Sequence, residues 1–134
     1  ATPIADATAQ PATIGIDPAK PGSEFTITPA EVKPGYDALF ITLAKALHPA
    51  QSGKGNERHA AGQPFTEQPI FKIGEMVGMG FQNGQALKKM IEAQGMIKRG
   101  DFNAAEREIL GAINYLAAVA IEINHRATAQ QKDN

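Results

Sequence analysis

The chain of 134 residues contains no cysteine, carries little net charge and has no long apolar run. Without cysteine it can form no disulfide, no thiolate zinc site and no cysteine nucleophile. Its formal net charge of -1 leaves no overall positive field to attract nucleic acid, so no nucleic-acid partner is expected. The longest apolar run, from Tyr115 to Ile121, has seven residues, which is far too short for a membrane helix. The N-terminus shows no uncleaved signal peptide, and the lack of cysteine fits a reducing cytoplasm, so a cytoplasmic location and no membrane partner are expected.

Proline is concentrated at the N-terminus, where six of the nine prolines lie within the first 34 residues. Each proline fixes its own φ and favours extended geometry in the residue before it. Residues 1–35 are therefore predicted to form an extended arm, with a disordered tail as the alternative for residues 1–20. Alternating apolar and polar residues indicate a short strand at Phe25–Thr28 and, less clearly, one at Thr13–Ile16.

The remainder of the chain shows the apolar periodicity of helices, which predicts an all-α domain over residues 36–126 and a C-terminal tail over 127–134. About four helices are expected: Tyr36–Leu47, a short helix from Pro69 to about Gly78, Asn83–Lys98, and Asn103 to about Asn124. Pro49 is expected to end the first of them. The last two are predicted to form a C-terminal αα-hairpin, with Gly100 as a left-handed cap and Asn103 with Glu106 as a capping box.

The third and fourth helices each carry a pattern of apolar residues. The pattern predicts that Leu87, Met90, Ile91 and Gln94 form the inner face of the third helix. The stretch Ala117–Ile121 is apolar all round, so the fourth helix is expected to be central or shared with another copy. The sequence thus favours a homo-oligomer built on this helix.

The motif Gly53-Lys54-Gly55, followed by Arg58-His59, lies in the long segment His48–Gln68 between the first two helices. Flexible glycine amides beside fixed positive charge suit an anion such as a phosphate. The motif is not a P-loop, because neither Ser nor Thr follows the lysine. In the alternative interpretation, the arginine pairs with Glu57 or Glu67 and the glycines serve only turns. The predicted ligand-binding residues here are Gly53, Lys54, Gly55, Arg58 and His59.

Three further residues are predicted to extend this site. Phe65 either anchors the segment in the core or stacks on a planar ligand such as a base. Lys88 and Lys89 either form a solvated face of the third helix or supply a second basic wall for the same anion. Gln68 and Gln85 have the amide groups needed to contact a base edge.

Catalysis and metal binding have little support in the sequence. His48, His59 and His125 have no partner at metal-ligand spacing, so no metal and no cofactor are expected. The layout of the last two helices is similar to that of all-α nucleotide pyrophosphatases, which bind magnesium through paired carboxylate motifs. Glu92 lacks its partner three residues away, and Glu108–Gly111 lacks the second motif. An unusual nucleotide hydrolase therefore remains only a third hypothesis.

Three stretches, Gly53–Ala60, Pro64–Pro69 and Leu110–Leu116, resemble a family of small uncharacterised proteins from tailed phages. The similarity extends over residues 53–121 and does not include the N-terminal arm. The resemblance implies a phage context but no particular activity. Small helical phage proteins often assemble as homo-oligomers, and some sequester the nucleotide second messengers of bacterial immune systems.

Two functions follow as hypotheses. The first is non-catalytic capture of a phosphate-bearing small ligand, a nucleotide, by a helical homo-oligomer acting as a counter-defence sponge in the host cytoplasm. The second is a structural or scaffold role in a phage virion, in which the N-terminal arm connects one subunit to the next.

Overall fold

The structure, a computed structural model, describes residues 12–14, 25–27, 31–52 and 62–133. The chain divides into two compact units, one of residues 43–120 and the other of residues 1–42 together with 121–134. The all-α class is confirmed. The described residues form four helices: α1 (Asp37–Ser52), α2 (Pro69–Val77), α3 (Gly80–Lys98) and α4 (Phe102–Asp133).

The N-terminal arm contains two short strands, β1 (Ala12–Ile14) and β2 (Phe25–Ile27). They pair antiparallel, with Ala12 opposite Ile27 and Ile14 opposite Phe25. The strand predicted from the alternation at Phe25–Thr28 is confirmed. The weaker signal at Thr13–Ile16 also marks a strand, shifted slightly toward the N-terminus.

Helix α1 continues through Pro49 and ends at Ser52, so the prediction that this proline ends the helix was wrong. A proline removes its own N–H, which leaves one carbonyl of the preceding turn, that of Lys45, without its helical donor. Because Pro49 lies in the last turn, only that one bond is lost and the remaining residues complete the helix.

Both ends of helix α2 lie where the sequence predicts them. Pro69 is its first residue, where a missing N–H has no effect on helical bonding. Gly78 follows its last residue with φ 100°, a left-handed conformation that glycine adopts without strain. The Gly78 amide donates to the Gly74 carbonyl at 2.8 Å and completes the last turn.

Helices α3 and α4 form the predicted C-terminal αα-hairpin, joined by the turn Arg99–Asp101. Gly100 has φ 78° and acts as the left-handed cap. Two contacts show that the pair packs antiparallel: Lys89 lies beside Glu108, and Phe81 lies beside Tyr115. No helix in the described part of the chain is long and apolar enough to cross a membrane.

The N-cap of α4 differs from the prediction. The helix begins at Phe102, and the Ala104 amide donates to Oδ1 of Asp101 at 3.4 Å. Asp101 is therefore the cap and Asn103 lies inside the first turn, so the predicted capping box was wrong. Helix α4 also extends to Asp133, well beyond the predicted end near Asn124, because no Gly or Pro interrupts that segment.

The core of the unit 43–120 is built from small side chains. Among the residues that the structure describes there, the buried apolar ones are Phe71 and six alanines: Ala46, Ala86, Ala93, Ala105, Ala112 and Ala118. Ala86 and Ala93 are buried and so form the inner face of α3. Their small side chains allow the helix backbones to approach closely. The predicted inner face was wrong, since Leu87, Met90, Ile91 and Gln94 are all exposed.

Candidate functional site

A half-open cavity of about 400 Å³ lies within the unit 43–120. Ala50, in the last turn of α1, lines the cavity. Phe65 also lines it and lies in a single 3₁₀ turn that follows segment 53–61 in the sequence. Pro69, Ile70 and Ile73 of α2 add an apolar side. Helices α3 and α4 close the remainder, so the cavity depends on every helix of the unit.

Three aromatic rings line this cavity: Phe65, Phe81 and Tyr115. The rings of Phe81 and Tyr115 meet edge to face, with centroids 6.0 Å apart and planes at 81°. Burial raises the pKa of the Tyr115 hydroxyl, an effect that the positive charge of Lys88 partly offsets. The cavity therefore offers flat apolar surfaces and a hydroxyl that stays protonated at neutral pH.

Lys89 is the one cationic side chain among the described residues that line the cavity. Its stem crosses Gly111 of α4, where an added Cβ would lie 3.1–3.2 Å from Cδ, Cε and Nζ. Its Nζ lies 3.5 Å from Oε2 of Glu108, at the outer limit of a hydrogen bond. That Oε2 is buried and has no hydrogen-bond partner among the described residues, so the contact is an ion pair held mainly by charge.

Lys88 and Lys89 are separated by the structure although they are adjacent in sequence. The Lys88 side chain is 66% exposed and pairs with Glu92 at 3.7 Å along the outer face of α3. The Lys89 side chain is only 27% exposed and lies in the cavity wall. Of the two predicted lysines, the structure therefore places one beside the cavity and the other in the solvated row that was its alternative interpretation.

Two side-chain amides complete the polar part of the wall. Asn114 donates through Nδ2 to the Ala46 carbonyl of α1 at 3.0 Å. Gln68 donates through Nε2 to the Gln63 carbonyl at 2.8 Å. The Asn114 bond connects α4 to α1 at the cavity, as the burial of a polar side chain requires.

The apolar side of the cavity is supported from behind by Gln82 of α3. This residue is fully buried, and its Nε2 donates to the Ile70 carbonyl of α2 at 3.1 Å. Its Oε1 has no hydrogen-bond partner within the described ranges. The side chain fills the space over Gly74, where any added Cβ would overlap its amide atoms. Gln82 thereby fixes the position of α2.

The five residues predicted from the glycine-rich motif fall in the segment 53–61, outside the described residues: Gly53, Lys54, Gly55, Arg58 and His59. Their role stays a prediction. Phe65 and Lys89 both line one cavity, and their role in ligand binding also stays a prediction. Phe81, Gly111 and Tyr115 were not singled out as ligand contacts, because sequence periodicity alone does not show which helices face each other.

In the described part of the chain, no group of three His, Asp or Glu side chains lies close enough to hold a metal ion. Comparison of the chain with protein-family models, curated proteins and solved structures found no match.

Proposed function

We propose that this protein binds and sequesters a phosphate-bearing small ligand, a nucleotide, without converting it. The observation that carries the proposal is the cavity of about 400 Å³ that combines aromatic rings with one lysine and two amides. Ligand pockets of about 300–1,000 Å³ are typically apolar with a few placed polar groups. A nucleotide has the matching parts, since its base is flat and apolar on both faces and its phosphate is anionic.

The anionic part of the ligand is assigned to Lys89. An ammonium group has three donors, and only one is needed for the ion pair with Glu108. The other two are available to a phosphate oxygen. Because Gly111 leaves room for the lysine stem, the ammonium is held at the wall of the cavity before any ligand arrives.

Further phosphate contacts are assigned to Lys54, Arg58 and His59. The supporting observation is that Ala50 and Phe65, which flank their segment, both line the cavity. A guanidinium and an ammonium on this segment would bind phosphates that extend beyond Lys89.

The homo-oligomer is part of the same proposal, and the exposed face of α4 supports it. Phe102, Ile109 and Leu116 are exposed and follow each other at seven-residue spacing. Ile113 and Ala120 interleave with them at the alternating three- and four-residue steps of a coiled-coil seam. Large apolar side chains in such a row are typical of a helix that packs against a partner, here proposed to be a second copy.

A structural role in a phage particle is the competing proposal. The observation that favours it is the β1–β2 pair, which gives the N-terminal arm a strand pair of its own. Deletion of residues 1–34 separates the two functions. A sponge keeps its ligand affinity after the deletion, whereas a lattice component loses assembly.

The test is native mass spectrometry of the full chain with linear and cyclic nucleotides, followed by calorimetry on any nucleotide that binds. We expect a discrete oligomer that gains a stoichiometric nucleotide mass, and that mass stays unchanged after incubation with magnesium. Lys89→Met should weaken binding at least about tenfold, since it removes a charge-assisted hydrogen bond. Lys98→Met, in the last turn of α3 and not among the residues that line the cavity, is the matched control and should bind like the wild type.

Three results would contradict the proposal. A chain that binds no nucleotide in the panel has no sponge function. Equal losses in the Lys98 and Lys89 variants would mean that the cavity is not the site. Hydrolysis of the bound nucleotide would favour the third hypothesis, an enzyme.

A further inference from the structure

The amides in the cavity wall have a fixed orientation. Asn114 donates from its side-chain nitrogen to the Ala46 carbonyl, and Gln68 donates from its own to the Gln63 carbonyl. A backbone carbonyl can only accept a hydrogen bond, so the end of each amide that faces it must be nitrogen. Turning either amide over would place two oxygens against each other.

The oxygen ends of the two amides are the ones left for a ligand. In the part of the chain that the structure describes, nothing donates to Oδ1 of Asn114 or Oε1 of Gln68. Neither oxygen is among the buried atoms that lack a partner, so both can be reached from solvent. Both residues line the cavity. The uncharged polar groups of the wall therefore include two acceptors with fixed orientation.

Asn114 offers more than an acceptor. An amide nitrogen has two hydrogens, and the bond to Ala46 uses only one of them. The oxygen and the remaining hydrogen form an acceptor beside a donor. Adenine has the complementary edge, an exocyclic amino group beside an unprotonated ring nitrogen, and Asn and Gln pair with such edges through two bonds. Cytosine has the same pattern. Hypoxanthine and uracil have it reversed, with a carbonyl beside a ring N–H.

We propose that the base of the captured nucleotide carries an exocyclic amino group, which donates to Oδ1 of Asn114 while the ring lies against Tyr115 and Phe81. Gln68 supplies a second acceptor, and Lys89, whose stem crosses Gly111 one turn before Asn114 in α4, takes the phosphate. This inference rests on the function proposed above and specifies its ligand as an adenine- or cytosine-type nucleotide.

The experiment compares nucleotides that differ only at this edge. Calorimetry on the full chain uses adenosine and inosine as matched pairs, each as the 5′-monophosphate, the 5′-triphosphate and the 3′,5′-cyclic monophosphate. The adenosine member of a pair should bind at least about tenfold more tightly, since the inosine carbonyl leaves a wall acceptor without its donor.

The ratio of the two affinities, rather than either affinity alone, reports on Asn114. Asn114→Leu should bring the adenosine-to-inosine ratio close to one, and Asn83→Leu, on the exposed face of α3, is the control that should leave it unchanged. Thermal unfolding checks that each variant is folded. If loss of the bond to Ala46 unfolds the first variant, Gln68→Met serves instead and should lower the ratio in part.

The possible outcomes separate this inference from the function on which it rests. If both members of a pair bind equally well, the inference is overturned and the nucleotide-binding function stands. If Asn114→Leu weakens both members by the same factor, Asn114 only supports the wall and the inference is again overturned. If no nucleotide binds, the proposed function fails and the inference fails with it.

Discussion

The contact between Gly74 and Gln82 leads to a specific prediction about stability. Alanine usually stabilises a helix relative to glycine, but at position 74 it should destabilise the protein. Gly74 is buried inside α2, and a Cβ built on it would overlap Nε2, Cδ and Oε1 of Gln82. Gln82 is itself fully buried, and its amide bonds to the Ile70 carbonyl. It can therefore yield to an added methyl group only by leaving that carbonyl or by moving α2.

The magnitude follows from three opposing contributions. Alanine favours the helix over glycine by about 1 kcal/mol. Overpacking a filled core typically costs about 1–3 kcal/mol. Pulling a buried amide away from its acceptor adds about 1–3 kcal/mol. Gly74→Ala should therefore lower the free energy of unfolding by about 3 kcal/mol in total.

The same change should stabilise a chain from which the obstacle has been removed. In a Gln82→Ala background the new methyl group enters vacated space, and the helix propensity of alanine should raise the stability by up to about 1 kcal/mol. Urea unfolding followed by circular dichroism, at one protein concentration for all four chains, measures this double-mutant cycle. If Gly74→Ala destabilises both backgrounds equally, Gln82 is not the cause and the packing argument is refuted.

Two other predictions concern the αα-hairpin. Asp101→Ala should lower the free energy of unfolding by about 1 kcal/mol because it removes the N-cap of α4, whereas Asn103→Ala, at the cap predicted from sequence, should change it by less; urea unfolding that ranks the two in the opposite order contradicts the assignment. Burial raises the pKa of Tyr115 above that of the unfolded chain, so the native state holds this proton more tightly. Its contribution to stability is then present below about pH 10 and is lost as the pH rises through the native pKa. Ultraviolet titration should show a tyrosine transition displaced to high pH that Tyr115→Phe removes; a variant that loses no such high-pH transition contradicts it.

Much of the fold could be predicted because it depends on local signals. The start of α2 follows from the ring of Pro69, and its end follows from the freedom of Gly78 to adopt a positive φ. The hairpin turn follows from Gly100 in the same way. The effect of a proline depends on its position in the helix: Pro49 does not end α1, because in a last turn its effect is confined to one bond.

The candidate site was less predictable than the fold. Phe65, Lys88 and Lys89 could be named from residue type, but the two lysines are equivalent as sequence. Their exposures differ because α3 turns about 100° per residue, so that neighbours point in different directions. The buried alanines of α3 set the close approach of the two helices and therefore decide which side of α3 faces α4. The apolar pattern of the sequence had instead predicted that the side with Leu87 and Ile91 faces inward.

The sequence by itself determined the helical class, the hairpin, the strand at Phe25–Ile27 and the absence of thiol chemistry. These depend on backbone preferences of single residues and on their immediate neighbours. Only the tertiary structure decided that Lys89, Asn114 and Tyr115 line one cavity, and that Gln82 fixes its apolar side. Such groupings join residues far apart in the chain, and the packing distance and rotation of each helix, which no local preference specifies, bring them together.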